Sequence, residues 1–372
     1  REVCHSFLLT QDLPNEPILL TEKTTVTLSN IEVSEKLFFV LLEKTKVTIG
    51  ERVSITKHVD SENCIREHGM AREIPVWLEG HNALSSLALE NIERMPPSSI
   101  GCSLKEARLY SIGLINIVPK LRINEVEWLL VVATEKEDVA TILAQDQPFC
   151  VGYVETMTLK DYAVSILLKL RIRKDCCEVK LLTLGATKKE HVSEILSQEK
   201  PVFIGRVETM TLKNYAVSIL LKLRIHKDCC EVKLLTLGAT KKEHVAEILS
   251  QEKPVFIGRV KEMVLAKYAV SVLPKLRINN DNTMEKFVLS ADEWHFSRIL
   301  EEKDKSIEVG RIRRGGFDVP EGIRRKLRYD LVDEETSGEA TAVGDGEVEE
   351  AVDGERKMLE ERSSSQRGSH LD

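Results

Sequence analysis

Aromatic residues make up only 5% of this 372-residue chain. Platforms that stack nucleic-acid bases need exposed rings, and the chain offers mainly Tyr162, Tyr215 and Tyr268 for that purpose. Long apolar runs are also missing. Val217–Leu221 and Trp128–Ala133 are typical of the longest, far below the roughly 18–20 residues that cross a bilayer, so no membrane partner is expected. No basic stretch leading into an apolar one opens the chain, and no signal peptide is expected. The phosphate-cradling patterns Gly-x-x-x-x-Gly-Lys-Ser/Thr and Gly-x-Gly-x-x-Gly do not occur, nor does the nucleophile pattern Gly-x-Ser-x-Gly. No Asn-x-Ser/Thr acceptor is present, and eight cysteines are too few and too scattered for a disulfide-stapled scaffold. These absences point to an intracellular, non-enzymatic protein without a cofactor.

What is present is an ordinary globular mixture, 42% hydrophobic and 30% charged. The net charge of −7 is unevenly placed. Residues 331–372 hold thirteen acidic side chains against four basic ones, a net of −9, which leaves about +2 on residues 1–330. That tail is rich in Gly, Glu, Ala and Ser without hydrophobic period, and disorder is expected for it.

Internal repetition is the dominant signal. Val154–Pro201 and Val207–Pro254 align without gaps and differ only at Asp161/Asn214, Arg173/His226 and Ser193/Ala246. Weaker copies flank them: YAVSILLKLRI at 162–172 and 215–225 becomes YAVSVLPKLRI at 268–278 and GLINIVPKLRI at 113–123. An apolar residue followed by glycine recurs at Gly50, Gly101, Gly152, Gly205, Gly258 and Gly310. The expected architecture is α+β, a tandem array of units of about 52 residues. A partial unit at 1–49 precedes units at 50–100, 101–151, 152–204, 205–257 and 258–309, then a basic segment at 310–330 and the acidic tail at 331–372. Each unit is expected to hold about three antiparallel strands and one helix. PVFIGRVETMTL is rich in β-branched residues. Within YAVSILLKLRI, Val217, Ile219, Leu221, Leu223 and Ile225 alternate with Ser218, Leu220, Lys222 and Arg224, the period of a half-buried strand. A helical stripe through Ala216, Ile219, Leu220 and Leu223 fits less well. CEVKLLTLG reads as the returning strand. Thr134-x-x-Glu137, Thr187-x-x-Glu190, Thr240-x-x-Glu243 and Ser290-x-x-Glu293 match the capping box that opens a helix. Ser34 and Asn82 precede two more helices.

Candidate sites are few. Cys176–Cys177 and Cys229–Cys230 sit in KDCCEVKLL, each followed by His191 or His244. Zinc ligands are usually two to four residues apart, whereas adjacent strand residues point to opposite faces, so no metal is expected there. Asp60, Glu62, Cys64, Glu67 and His68 crowd together in the unique N-terminal region, the place where an enzymatic site would lie if the chain had one. Lys169/Arg171, Lys222/Arg224, Lys275/Arg277 and Lys120/Arg122 recur in register. As strand residues they would align in one basic ladder able to contact phosphates. Arg311, Arg313, Arg314, Arg324, Arg325, Lys326 and Arg328 form a second basic group in a segment expected to be flexible. The expected function is binding of a macromolecular partner, a protein first, with nucleic acid held by these Lys/Arg positions as the alternative.

Overall fold

Val154, Met157 and Leu159 are fully buried, whereas Thr156, Thr158 and Lys160 between them reach the surface. That alternation makes a strand with one face in the core. The buried residues lie beside their counterparts in the next strands. Met157 is followed by Leu182, Met210, Leu235, Met263 and Phe287, and Leu159 by Leu184, Leu212, Leu237, Leu265 and Leu289. These continuous rows are one wall of a single hydrophobic core. The computed structural model describes residues 2–333 apart from 4, 13–15, 58–62, 70–75, 81–83, 111–112, 172–176, 205–206, 226–231 and 280.

The protein combines helices with a large mixed sheet of thirteen strands among the described residues. From one side the strands run Phe317–Asp318, Lys286–Ser290, Val260–Lys267, Val232–Ala239, Val207–Asn214, Cys177–Ala186, Gly152–Asp161, Leu121–Ala133, Ile100–Tyr110, Val53–Thr56, Ile31–Ser34 and Ile65–Glu67. Val76–Gly80 also pairs with Ile100–Tyr110. Every neighbouring pair is parallel except Ile31–Ser34 with Ile65–Glu67. The antiparallel pairing expected from sequence is therefore corrected. Parallel neighbours need a crossover of a dozen or more residues, and YAVSILLKLRI supplies it.

That stretch is also corrected from strand to 3₁₀-helix, at Leu114–Lys120, Tyr162–Leu168, Tyr215–Leu221 and Tyr268–Lys275. Ala163, Val164, Ser165, Ile166 and Leu167 are all buried, so no polar phase exists to enforce the two-residue period. Ser165 hides its hydroxyl by donating to the Tyr162 carbonyl at 2.6 Å, and Ser271 does the same to Tyr268 at 2.7 Å. Pro119 and Pro274 fall inside these turns. Asp161, Asn214 and Lys267 enter the turns at φ of 56°, 56° and 53°, a region that side chains other than glycine seldom occupy. In the near-identical copies the strain is partly offset. Asp161 Oδ1 accepts from Thr187 N and Oγ1 at 3.1 and 2.6 Å, and Asn214 Oδ1 accepts from Thr240 N and Oγ1 at 3.3 and 3.0 Å.

Helices α1 (Glu35–Lys44), α2 (Ser86–Arg94), α3 (Glu137–Leu143), α4 (Ser193–Leu196), α5 (Ala246–Leu249) and α6 (Ser297–Glu301) lie at the expected places. Ser34 caps α1 by accepting from Leu37 N at 3.3 Å. Ser85, not Asn82, caps α2. The Thr187 and Thr240 capping boxes do not form, because these threonines are drawn to Asp161 and Asn214. Histidine takes over. His244 Nδ1 accepts from Lys241 N at 3.2 Å, and His295 Nδ1 from Asp292 N at 3.2 Å. His191, His244 and His295 are buried, and each ring packs on a tyrosine, Tyr162, Tyr215 or Tyr268, at 4.4–4.6 Å between centroids. An Nδ1 that accepts must be unprotonated.

Burial pushes the His244 pKa below the ordinary histidine value, with Glu243 opposing and Lys241 adding to the shift. The unfolded chain therefore binds the extra proton first, and stability falls as pH drops below about 6.5 towards the depressed folded value. His244→Gln is expected to lessen the fall in urea midpoint between pH 7.5 and 5.5. An equal fall in both proteins would contradict this role.

Candidate binding surface

The recurring Lys-x-Arg positions are not one ladder. Each short turn ends at the lysine and only the next three residues are extended, so the two basic side chains part. Lys169 Nζ donates to the Gln145 carbonyl at 2.5 Å, Lys222 to Gln198 at 2.5 Å, and Lys275 to Gln251 at 2.6 Å. Lys120 reaches Met95 and Glu93 carbonyls at 2.6 and 3.2 Å, and Lys326 reaches Glu302 at 2.6 Å. All five lysines donate to carbonyls at or just past the C-terminal end of the preceding helix, where unpaired carbonyls carry the negative end of the helix dipole. A lysine suits this place because its slim apolar stem passes through the core edge and brings a compact charge to the carbonyls. Burial lowers the Lys120 pKa, with Glu93 opposing. These lysines act as struts at the helix ends.

The arginines point out. Arg122, Arg171 and Arg224 are exposed and Arg277 is half-buried. None of the four makes an ion pair among the described residues. Arg224 lies opposite Phe203 in the parallel pair Val202–Ile204 with Leu223–Ile225, and Arg277 opposite Phe256 in Val255–Gly258 with Leu276–Ile278. Phe203 and Phe256 are 65% and 68% exposed, with Trp294 at 65% the most exposed large apolar side chains among the described residues. They were legible in PVFIG, where Val202 and Ile204 alternate with Phe203 and claim the buried face. Tyr162, Tyr215 and Tyr268, the expected stacking rings, are instead occupied with histidines.

The basic C-terminal segment is folded, contrary to its expected flexibility. Ile307, Val309, Ile312 and Leu327 anchor the strands Ile307–Arg313 and Leu327–Val332 in the core. Arg314 pairs with Asp333 at 2.8 Å, Arg324 with Glu321 at 3.2 Å, Lys326 with Asp304 at 2.9 Å and Arg328 with Glu308 at 2.8 Å. Arg311, Arg313 and Arg325 are exposed. Of the acidic tail only residues 331–333 are described; residues 334–372, and with them the expected disorder, lie outside the described residues.

Cys176, Cys229 and Cys230 also lie outside the described residues, as do Asp60 and Glu62. Cys64 and Glu67 are exposed, and His68 is half-buried. Among the described residues no three His, Cys, Asp or Glu side chains are placed to hold a metal ion. No helix described is long and apolar enough to cross a membrane.

A second surface was not read from the sequence, the outward face of the main sheet. One row runs Trp128, Thr156, Leu181, Thr209, Leu234, Glu262, Lys286, and the next runs Leu130, Thr158, Thr183, Thr211, Thr236, Val264, Val288. Most of these residues are half-exposed, and Trp128 is 37% exposed. Charges beside the rows are matched: Lys180 to Glu155 at 3.1 Å, Lys233 to Glu208 at 2.9 Å, and Lys261 to Glu285 at 3.5 Å. At one end Arg108 lies over the Trp128 ring, 4.9 Å from its centroid.

Comparison of the chain with models of protein families, with curated proteins and with solved structures gives no match.

Removing one strut leaves a helix-end carbonyl unpaired. Lys222→Met is expected to lower unfolding stability by about 1–3 kcal/mol, and Arg224→Met to change it by less than about 0.5 kcal/mol. Urea unfolding checks both. Equal losses would contradict the division of roles.

Proposed function

We propose that the chain is a non-enzymatic binding scaffold, a tandem array of units of about 52 residues that holds a protein partner on the outward face of its main sheet. The array reading is supported by the recurrence of the same parts at the same spacing. Each near-identical copy contributes two long parallel strands, a 3₁₀ crossover, a short helix, a buried histidine at the helix start and a lysine strut.

The observation that carries the functional reading is the composition of the outward face. Threonines alternate with Leu181 and Leu234 in one row, four threonines lead to Val264 and Val288 in the next, and neighbouring charges neutralise one another. A polyanion or an anionic membrane surface would gain little from such a face. A protein interface is of this character, apolar at its centre with matched polar groups around it. Trp128, with Arg108 over its ring, is the aromatic anchor at one end, of the kind that dominates interface energetics.

The test is a partner capture with three versions of the full chain. The wild type is expected to retain a protein that the face variant Leu181→Glu with Leu234→Glu loses, while a variant on another surface, Lys253→Glu, still retains it. A set of bound proteins unchanged by the face variant would contradict the reading, provided circular dichroism shows that variant folded.

A further inference from the structure

The exposed phenylalanines and unpaired arginines form a surface of different chemistry from the charge-balanced sheet face. Phe203 and Arg224 are direct neighbours across one pair of strands, and Phe256 and Arg277 across the next. The strand Leu223–Ile225 lies against Val255–Gly258, so the order along the surface is ring, guanidinium, ring, guanidinium. Both guanidiniums are anchored alike. Arg224 Nη1 donates to the Leu223 carbonyl at 2.8 Å, and Arg277 Nη1 to Leu276 at 2.8 Å and Pro274 at 3.2 Å. The remaining donors of the fork are free among the described residues. Arg171, the counterpart of Arg224 in the preceding copy, is exposed and makes no ion pair among the described residues. On one side Glu308 takes the place of phenylalanine and pairs with Arg328 at 2.8 Å. The strip therefore has a defined end, set by a carboxylate.

We propose that this strip binds single-stranded nucleic acid, with Phe203 and Phe256 stacking on bases and Arg171, Arg224 and Arg277 taking phosphates. Two features select that ligand. The rings project with most of their surface in water, a poor arrangement for a lone phenylalanine and a good one for an aromatic platform, since every base has a flat π-face. Among the described residues the cations between them carry no carboxylate partner, although the charged pairs on the outward sheet face are matched. An anionic polymer with a planar group at every step complements both at once. An acidic peptide supplies the charge without a planar group at each step. The surface differs from the one proposed for a protein partner, and the two readings fail independently.

The experiment is fluorescence anisotropy of a labelled 20-mer of deoxythymidine titrated with the full chain at 50 and 200 mM salt. The wild type is expected to bind and to weaken with salt. Phe203→Ala with Phe256→Ala is expected to weaken binding by about tenfold or more. Arg224→Gln with Arg277→Gln is expected to flatten the slope of log affinity against log salt by about 0.7 per arginine. All four positions are at the surface, and unchanged thermal unfolding of both variants confirms that the fold is kept. No binding at 50 mM salt would overturn the proposal. So would binding unaffected by either pair, or lost instead on substituting Arg311 and Arg313. Binding of a Glu-Phe repeat peptide as tight as that of the oligonucleotide, and equally sensitive to both variants, would assign the strip to acidic peptides and overturn it too.

Discussion

A lysine ammonium set against the last carbonyls of a helix one coil earlier is the contact on which the rest of this fold depends. A helix of four residues, such as α4 or α5, cannot sustain itself, because nucleation is costly and nearly all its carbonyls lack internal partners. Lys222 and Lys275 supply those partners from 24 residues further along the chain. The first coil uses a different device for the same end. Buried Asn91, on α2, donates to the Leu42 and Thr45 carbonyls at 2.9 and 2.7 Å and accepts from Val47 N at 2.9 Å, tying the end of α1 to the following strand. In each case a side chain from later in the sequence completes the end of an earlier helix.

This linkage fixes what the surfaces can be. With the helices held on one side, the strands meet in parallel register, and the inward rows of Met and Leu have one partner layer to pack against. The outward rows are then left open, and they are as continuous as the inward ones because parallel in-register pairing repeats both faces. The same turn that directs a lysine inward directs the arginine two residues later outward, beside a phenylalanine. One short motif, Lys-Leu-Arg, serves the interior and the surface at once.

Much of this was legible in the sequence. The near-identity of 154–201 and 207–254, the positions of α1 to α6, and the Ser34 cap follow from period and local chemistry. YAVSILLKLRI was misread because burial on all sides erases the polar phase that distinguishes a strand from a 3₁₀ turn; Ser165 and Ser218 look like surface positions until their hydroxyls find carbonyl partners. The antiparallel expectation followed from that error, since a strand in place of a crossover leaves only hairpins to connect the sheet. Lysine and arginine two residues apart read as one ladder for the same reason. The histidine caps were hidden because Thr-x-x-Glu matches a capping box, while the competing acceptors Asp161 and Asn214 lie 26 residues earlier.

The most direct test of the central claim is native-state hydrogen exchange on Lys169→Met, Lys222→Met, Lys275→Met combined in one chain. If the struts bind coil to coil, amides of Val207–Asn214 and Val232–Ala239, although far from the substituted ammonium groups, lose protection together with those of α4 and α5. Loss of protection confined to the helix ends, with the strands as protected as in the wild type, would show that the lysines serve only their own helices and would contradict the account.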